Sequence, residues 1–357
     1  MQELAWILLK LVLGTLGVIA FGIVFGLFFK GIDRKLSAHM QGRIGPPIRQ
    51  PFRDVVKLFT KENIVPDNAV PWIFNLAPLV GLVATITILL YIPLGGFEPI
   101  ADGFGDLILI LYLLIIPSLA MVIGGFASGS PYATVGAQRE MATMIAYEFP
   151  LAIIIISFAW LLGNNNFGLG LEQAFSLMQI SANPIWASVG ILGLIGAMIL
   201  LLALVIVTPA ELSKIPFDAP EAETEIAGGI LTEYSGRNLG MFYLTDAVKT
   251  VVMASIVVAL FFPYNLSPII GLEGIAGNII DIVFYLVKVL LVILFSVTLI
   301  RVAIARLKID QIVGTYWLWI TLLALVGLIC IMWDQQIMNT EIGFLEWYKP
   351  ILTMIGL

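Results

Sequence analysis

Apolar positions in this chain come in long runs rather than in the alternating or three-to-four spacing of a half-buried surface. Eight runs, at about 4–29, 75–94, 107–127, 143–162, 187–209, 247–263, 279–300 and 315–333, each supply the roughly 20 apolar residues that a hydrocarbon core of about 30 Å requires. Turn and breaker residues separate them, including Pro93-Leu94-Gly95-Gly96, Gly163-Asn164-Asn165-Asn166 and Pro263-Tyr264-Asn265. The pattern predicts an all-α polytopic membrane protein, residues 1–357 forming a single membrane domain with eight transmembrane helices. The first run lacks a small-residue cleavage site and leads straight into charged sequence, so it reads as a retained span. The two halves show no repeat.

Two stretches break the pattern. Over about 50–61, Phe52, Val55, Val56 and Phe59 recur at helical spacing while Arg53, Lys57 and Lys61 occupy another face, which predicts an amphipathic helix lying on the membrane surface. The tail Asp334–Leu357 is too short for a ninth span and is interrupted by Glu346, Lys349 and Pro350; it is expected at the interface. The pattern Gly22-x-x-x-Gly26 in the first span predicts close helix packing.

Composition narrows the chemistry. Of 357 residues 60% are hydrophobic and 12% charged. The chain has one cysteine, Cys330, expected as a small core residue, and one histidine, His39, too few ligands for an iron-sulfur cluster, a haem or most transition-metal sites. No Walker loop and no glycine fingerprint is present. Fifteen of the 18 cations fall in the connections after the first, third, fifth and seventh spans, and the other three connections hold none. By the positive-inside rule those four face the cytoplasm and both termini lie outside.

Against that rule, the third of these loops, about 211–246, gathers carboxylates: Glu211, Asp218, Glu221, Glu223, Glu225, Glu233 and Asp246. The spacing Asp218-Ala219-Pro220-Glu221 fits a capping box, and a continuing helix would put Glu221 and Glu225 on one face as repelling like charges. Close carboxylates in a partly buried site cannot all ionise, so such a cluster can hold and pass protons. Gly228-Gly229 and Ser235-Gly236, interleaved with Ile226, Ile230 and Leu231, predict a loop folded against the protein. Further ionisable groups fall in or beside apolar runs: Arg139 and Glu140 just before the fourth, Glu148 one to two turns into it, Lys249 near the start of the sixth and Lys288 near the middle of the seventh.

Three motifs in order resemble one family. They are Gln41-Gly42-Arg43-Ile44-Gly45-Pro46 followed by Gln50-Pro51 and Lys57-Leu58-Phe59-Thr60-Lys61-Glu62; Tyr147-Glu148; and Pro216-Phe217-Asp218-Ala219-Pro220-Glu221-Ala222-Glu223 through Glu233-Tyr234-Ser235-Gly236. They resemble the NuoH family of respiratory complex I and its relatives in membrane-bound, energy-converting hydrogenases. The resemblance implies a subunit without a redox centre, joining an electron-transfer arm to ion-pumping membrane subunits. It implies a quinone-like cavity or docking interface at Arg43, Phe52, Lys57 and Tyr234. It also implies a proton relay through Glu211, Asp218, Glu221, Glu223, Glu225 and Glu233, with Asp246 beside it and Glu140 and Glu148 continuing it into the membrane. Lys249 and Lys288 are the candidates for an intramembrane ion path.

Only Pro47, Ile48 and Arg49 separate the glycine-proline turn from Gln50-Pro51, a shortening like that of the hydrogenase and sulfur-reductase branch, which leaves a working quinone site open. The expected function is therefore the membrane anchor of a ferredoxin-fed hydrogenase or sulfur reductase that moves H⁺ or Na⁺. Iron-sulfur clusters and a nickel-iron centre would sit in peripheral hydrogenase-like partners on the cytoplasmic side, with antiporter-like subunits beside it in the cytoplasmic (inner) membrane. The alternatives are a quinone-binding NuoH-type subunit of an NADH or F(420)H(2) quinone oxidoreductase, a secondary transporter with Glu148 and Lys288 as its site, and a purely structural anchor.

Overall fold

The computed structural model of the chain describes residues 2–101, 106–163, 173–271 and 274–339, with side chains from 11 to 337 within those ranges. Among the described residues all regular elements are helices, as an apolar solvent demands of a backbone that must satisfy its own polar groups. Eight are long and apolar enough to cross a bilayer: Gln2–Met40, Pro71–Tyr91, Asp106–Ala127, Pro131–Gly163, Ile191–Glu211, Gly236–Phe261, Ile275–Ala303 and Ile309–Ile337, called spans one to eight below. The amphipathic helix runs Gln50–Thr60. Its Phe52 and Val55 pack on Leu27, Leu244 and Ala247, whereas Val56 and Phe59 stay exposed.

Span six is the axle of the bundle. Of its most apolar stretch 94% is buried, against 22% for span one and 33% for spans seven and eight, whose outer faces are apolar and open. Small residues let neighbours close on it: a Cβ at Gly26 would stand 2.7 Å from the Ala247 carbonyl oxygen, and one at Gly22 would stand 2.5 Å from Leu89.

The helices outrun the apolar stretches that announce them. Span one continues past Phe29 to Met40, so Lys30, Asp33, Arg34 and Lys35 are helical rather than in a loop. Span four starts at Pro131, which places Arg139 and Glu140 inside it and Glu148 near its middle instead of one to two turns in. Span six starts at Gly236 and carries Asp246 and Lys249. Cross-helix ion pairs explain the extensions, because Lys30–Asp246 at 2.5 Å, Arg34–Asp54 at 3.2 Å and Lys249–Glu211 at 2.8 Å let charged turns pack where hydropathy sees only a loop.

Lys288 stands near the middle of span seven, where its Nζ donates to the carbonyls of Phe262 at 2.8 Å and Tyr264 at 2.7 Å, closing the C-terminal end of span six. Cys330 is half-buried on the seam between spans five and eight, against Gly196, rather than in the core. Residues 340–357, with Glu346, Lys349 and most of the expected interfacial tail, and the expected turn residues Asn164, Asn165 and Asn166 lie outside the described residues.

The acidic loop is seated on span four through glycine. A Cβ at Gly136 would meet Ile230 N at 2.6 Å and Pro220 O at 2.9 Å; Gly229, at φ +54, would put one 1.9 Å from Pro220 O. Gly136→Val is expected to lift the loop off span four at the roughly 1–3 kcal/mol of an overpacked contact. The readouts are a lower thermal midpoint in detergent and faster proteolysis within residues 219–235; an unchanged midpoint would mean the loop does not rest there.

Candidate functional site

At the charged end of the bundle, spans one, three, five, six and seven and the acidic loop enclose a chamber of about 460 Å³. Its wall is built from opposed charges. Asp246 on span six is gripped by Lys30 of span one and Lys214 of the loop, each at 2.5 Å, and the Lys30 ammonium also stands 3.3 Å from the centre of the Tyr243 ring. Across the chamber Asp33 accepts hydrogen bonds from Thr298 at 2.7 Å and Arg301 at 3.1 Å. Thr298 lies in a π turn, Leu294–Thr298, that interrupts span seven where it meets span one.

Arg306, between spans seven and eight, grips Asp218 with both arms of its guanidinium, at 2.8 and 2.5 Å, and donates to Thr224 at 2.7 Å. The Leu307 N–H donates to the Pro216 carbonyl at 3.1 Å beside it. This fork overturns the capping box: the Asp218 carboxylate is committed to Arg306 and caps nothing. Nor does a continuous helix carry Glu221 and Glu225. A short 3₁₀ turn, Ala219–Glu221, gives way to extended Ala222 and then to the single turn Glu223–Ile226. Ala227 and Gly228, both at positive φ, end that turn. Glu225 therefore points outward, paired with Arg139 at 2.6 Å, while Glu221 faces the chamber. Burial pushes the Glu221 carboxyl up to about 7; nearby Lys214 opposes that, while Asp246 and Glu140 add to it.

Beyond the chamber the charges go deeper. Glu211 at the end of span five meets Lys249 of span six at 2.8 Å, and both are buried. The Lys249 ammonium also donates to Ser118 of span three at 3.1 Å, and Ser118 shares a hydrogen bond with Tyr147 at 3.2 Å. Glu140, wholly buried, has Ser213 at 3.5 Å from Oε2. Glu148 is half-buried about two helical turns further along span four, within electrostatic reach of Glu211.

The fold thus gathers Glu211, Asp218, Glu221, Glu223, Asp246 and Lys249 on one chamber and sets Glu140 and Glu148 behind it. Glu225 faces outward and Glu233 is half-buried away from the chamber lining. Arg43, Phe52, Lys57 and Tyr234 do not share a cavity. Arg43 and Lys57 are exposed, Arg43 bonding only its neighbour Gln41, and Phe52 packs under the amphipathic helix. Tyr234 is a packing residue, stacked on Phe74 at 4.1 Å. A quinone head group finds no fit in that set, and the chamber itself is walled by cations already paired with carboxylates. Those cations, Lys30, Lys214, Arg301 and Arg306, with Asp33, are what the sequence reading missed. The signal was there in part: Lys30, Asp33, Arg34 and Ser37 continue span one at i, i+3, i+4 and i+7.

Residues 13–332 match a family described as NADH dehydrogenase. The chain belongs to the NuoH-like family of subunits in complex-I-like oxidoreductases. Its relatives span that range of assemblies. It is 31% identical over 336 residues to the NuoH-type subunit of the NADH-quinone oxidoreductase of Syntrophotalea carbinolica, covering 90% of this chain and 93% of the relative. It is equally 31% identical to the NuoH-type subunit of the F(420)H(2) dehydrogenase of Methanosarcina mazei, over 88% of this chain and 91% of that one. A chain in the solved structure of the membrane-bound sulfane sulfur reductase, an archaeal respiratory membrane complex, superposes with a TM-score of 0.77 at 32% identity, covering 90% of this chain and 99% of its own. NuoH-like membership and the eight spans agree with the sequence-level expectation.

Two outcomes follow from the geometry. Lys249→Met leaves Glu211 as an uncompensated buried charge and is expected to lower stability by about 3–5 kcal/mol, seen as a drop in thermal midpoint that Lys249→Met combined with Glu211→Gln largely restores. Glu221, with its folded pKa above the ordinary carboxylate value of 4.5, adds stability that is fully present below pH 4.5 and is lost as pH rises through about 7. Glu221→Gln should flatten stability across that window, measured by denaturation at stepped pH.

Proposed function

We propose that this chain is the membrane subunit of a complex-I-like, ion-translocating oxidoreductase, of the sulfur-reductase or hydrogenase type, and that its buried carboxylates relay charge from a docked electron-transfer arm into the membrane. One observation carries the reading. Ionisable side chains succeed one another within electrostatic reach, from Glu221, Asp246 and Glu211 at the chamber to Glu140 and Glu148 inside span four, in a bundle where a buried charge with no task is a liability.

The short Pro47–Arg49 connection supports that branch. The lopsided cation count supports a chamber facing the cytoplasm from the cytoplasmic membrane, both termini outside, where hydrogenase-like and iron-sulfur partners dock. Electrons stay in those partners, because one cysteine and one histidine cannot hold a cluster. Antiporter-like subunits alongside would carry the ion, H⁺ or Na⁺. Protonation of Glu221 near neutral pH is the step through which the docked arm biases the relay.

A quinone-binding role is the competing reading, favoured by the name of the NADH-quinone oxidoreductase relative. Extraction of the purified complex decides it: a bound quinone supports that reading, and copurified nickel supports the hydrogenase branch. The relay itself is tested with Glu221→Gln in the intact complex by counting ions translocated per electron across pH 6 to 8. The expected result is a reduced ratio that has lost its dependence on pH near 7; a wild-type ratio and pH profile would sink the relay.

A further inference from the structure

The innermost charges are unequal in number. Glu140, Glu211 and Lys249 are 0, 3 and 4% exposed, so two buried carboxylates share one ammonium, with Glu211 and Lys249 on the chamber lining and Glu140 behind it. The ammonium touches two sides. Lys249 Nζ pairs with Glu211 Oε1 at 2.8 Å and hydrogen-bonds that carboxylate. It also donates to Ser118 Oγ, at 3.1 Å. Glu140 lies beside the same Ser118, and the Lys249 charge acts on it across that hydroxyl. Its carboxylate meets the hydroxyls of Ser118 and, at 3.5 Å from Oε2, of Ser213.

A buried carboxylate without a partner is costly, and a lysine ammonium on a flexible four-carbon stem can serve more than one acceptor. We propose that Lys249 is the moving counter-charge of the relay: it pairs with Glu211 when that carboxylate is ionised and crosses the Ser118 hydroxyl to Glu140 when Glu211 is protonated. The inference rests on the relay reading above. Its balance is simple. A proton arriving from the chamber forms an O–H bond on Glu211 and cancels its charge. The ammonium keeps its three protons and neutralises Glu140. When the Glu211 O–H bond breaks and the proton passes toward Glu148, the ammonium returns. Span three contributes Ser118 to this exchange, span four Glu140, Tyr147 and Glu148, span five Glu211, the loop Ser213, and span six Lys249.

A fixed counter-ion and a moving one predict different variants. In the intact complex, ions translocated per electron are compared for wild type, Glu211→Gln, Lys249→Arg and the double variant Lys249→Met with Glu211→Gln. Glu211→Gln already takes one member from the relay and leaves nothing there to neutralise, so a purely neutralising lysine predicts that adding Lys249→Met leaves the Glu211→Gln ratio unchanged. A moving lysine, still needed at Glu140, predicts a further fall of about fivefold or more, the lower edge of ordinary coupling between sites. Lys249→Arg keeps the charge but holds Glu211 by a planar fork, and its ratio is expected to fall below wild type as well. A double variant equal to Glu211→Gln, or a wild-type ratio in Lys249→Arg, overturns the proposal; if the double variant fails to assemble, Lys249→Arg alone decides. A wild-type ratio in Glu211→Gln, where Lys249 is intact, would overturn the relay reading instead, so the two failures are told apart.

Discussion

Charge inside an apolar bundle has to be neutralised at once, by a partner on another helix, and the charged end of this protein is organised by that constraint. Lys249–Glu211, Lys30–Asp246–Lys214, Arg301–Asp33 and Arg306–Asp218 each join two elements distant in sequence. The first three involve helix ends that run further than hydropathy would carry them, the fourth ties one connection to another, and together they enclose the chamber. Apolar packing, centred on span six, forms the scaffold; the pairs decide how its polar end closes.

The same constraint sorts the carboxylates by role. Asp218 and Asp246 are saturated by cations and act as clamps. Glu225 is spent on Arg139 at the surface. Glu221 has burial without a dedicated cation, which is why it titrates near neutrality. Glu140 and Glu211 share a single ammonium. A row of acids that reads as uniform in the sequence is, in space, sorted by how firmly a cation holds each one.

The acidic loop is also tied mechanically to the far spans. Arg306 and Leu307 hold it to the connection between spans seven and eight, and Phe217 packs edge-on against Tyr316, with 5.1 Å between ring centres. Tyr316 sits in the π turn Thr315–Ile320 and donates to the Ile206 carbonyl of span five at 2.7 Å. The loop is therefore held both to span four, a regular helix, and to two helices interrupted by π turns, where the ladder is irregular.

By itself the sequence determined the class, the number of spans, the amphipathic helix and the family, because long apolar runs and local motifs depend on neighbours along the chain. It also marked most of the acids that reach the chamber, since carboxylates among apolar runs stand out whatever the fold. It offered Asp218 as a helix cap and set Glu225 beside Glu221, and each is explained instead by a partner far away: Arg306 and Arg139. It grouped Arg43, Phe52, Lys57 and Tyr234, which the fold disperses. Only tertiary structure decided which cation answers which acid, because an ion pair buried between helices is set by distance in space, and no periodicity along one strand of sequence encodes it.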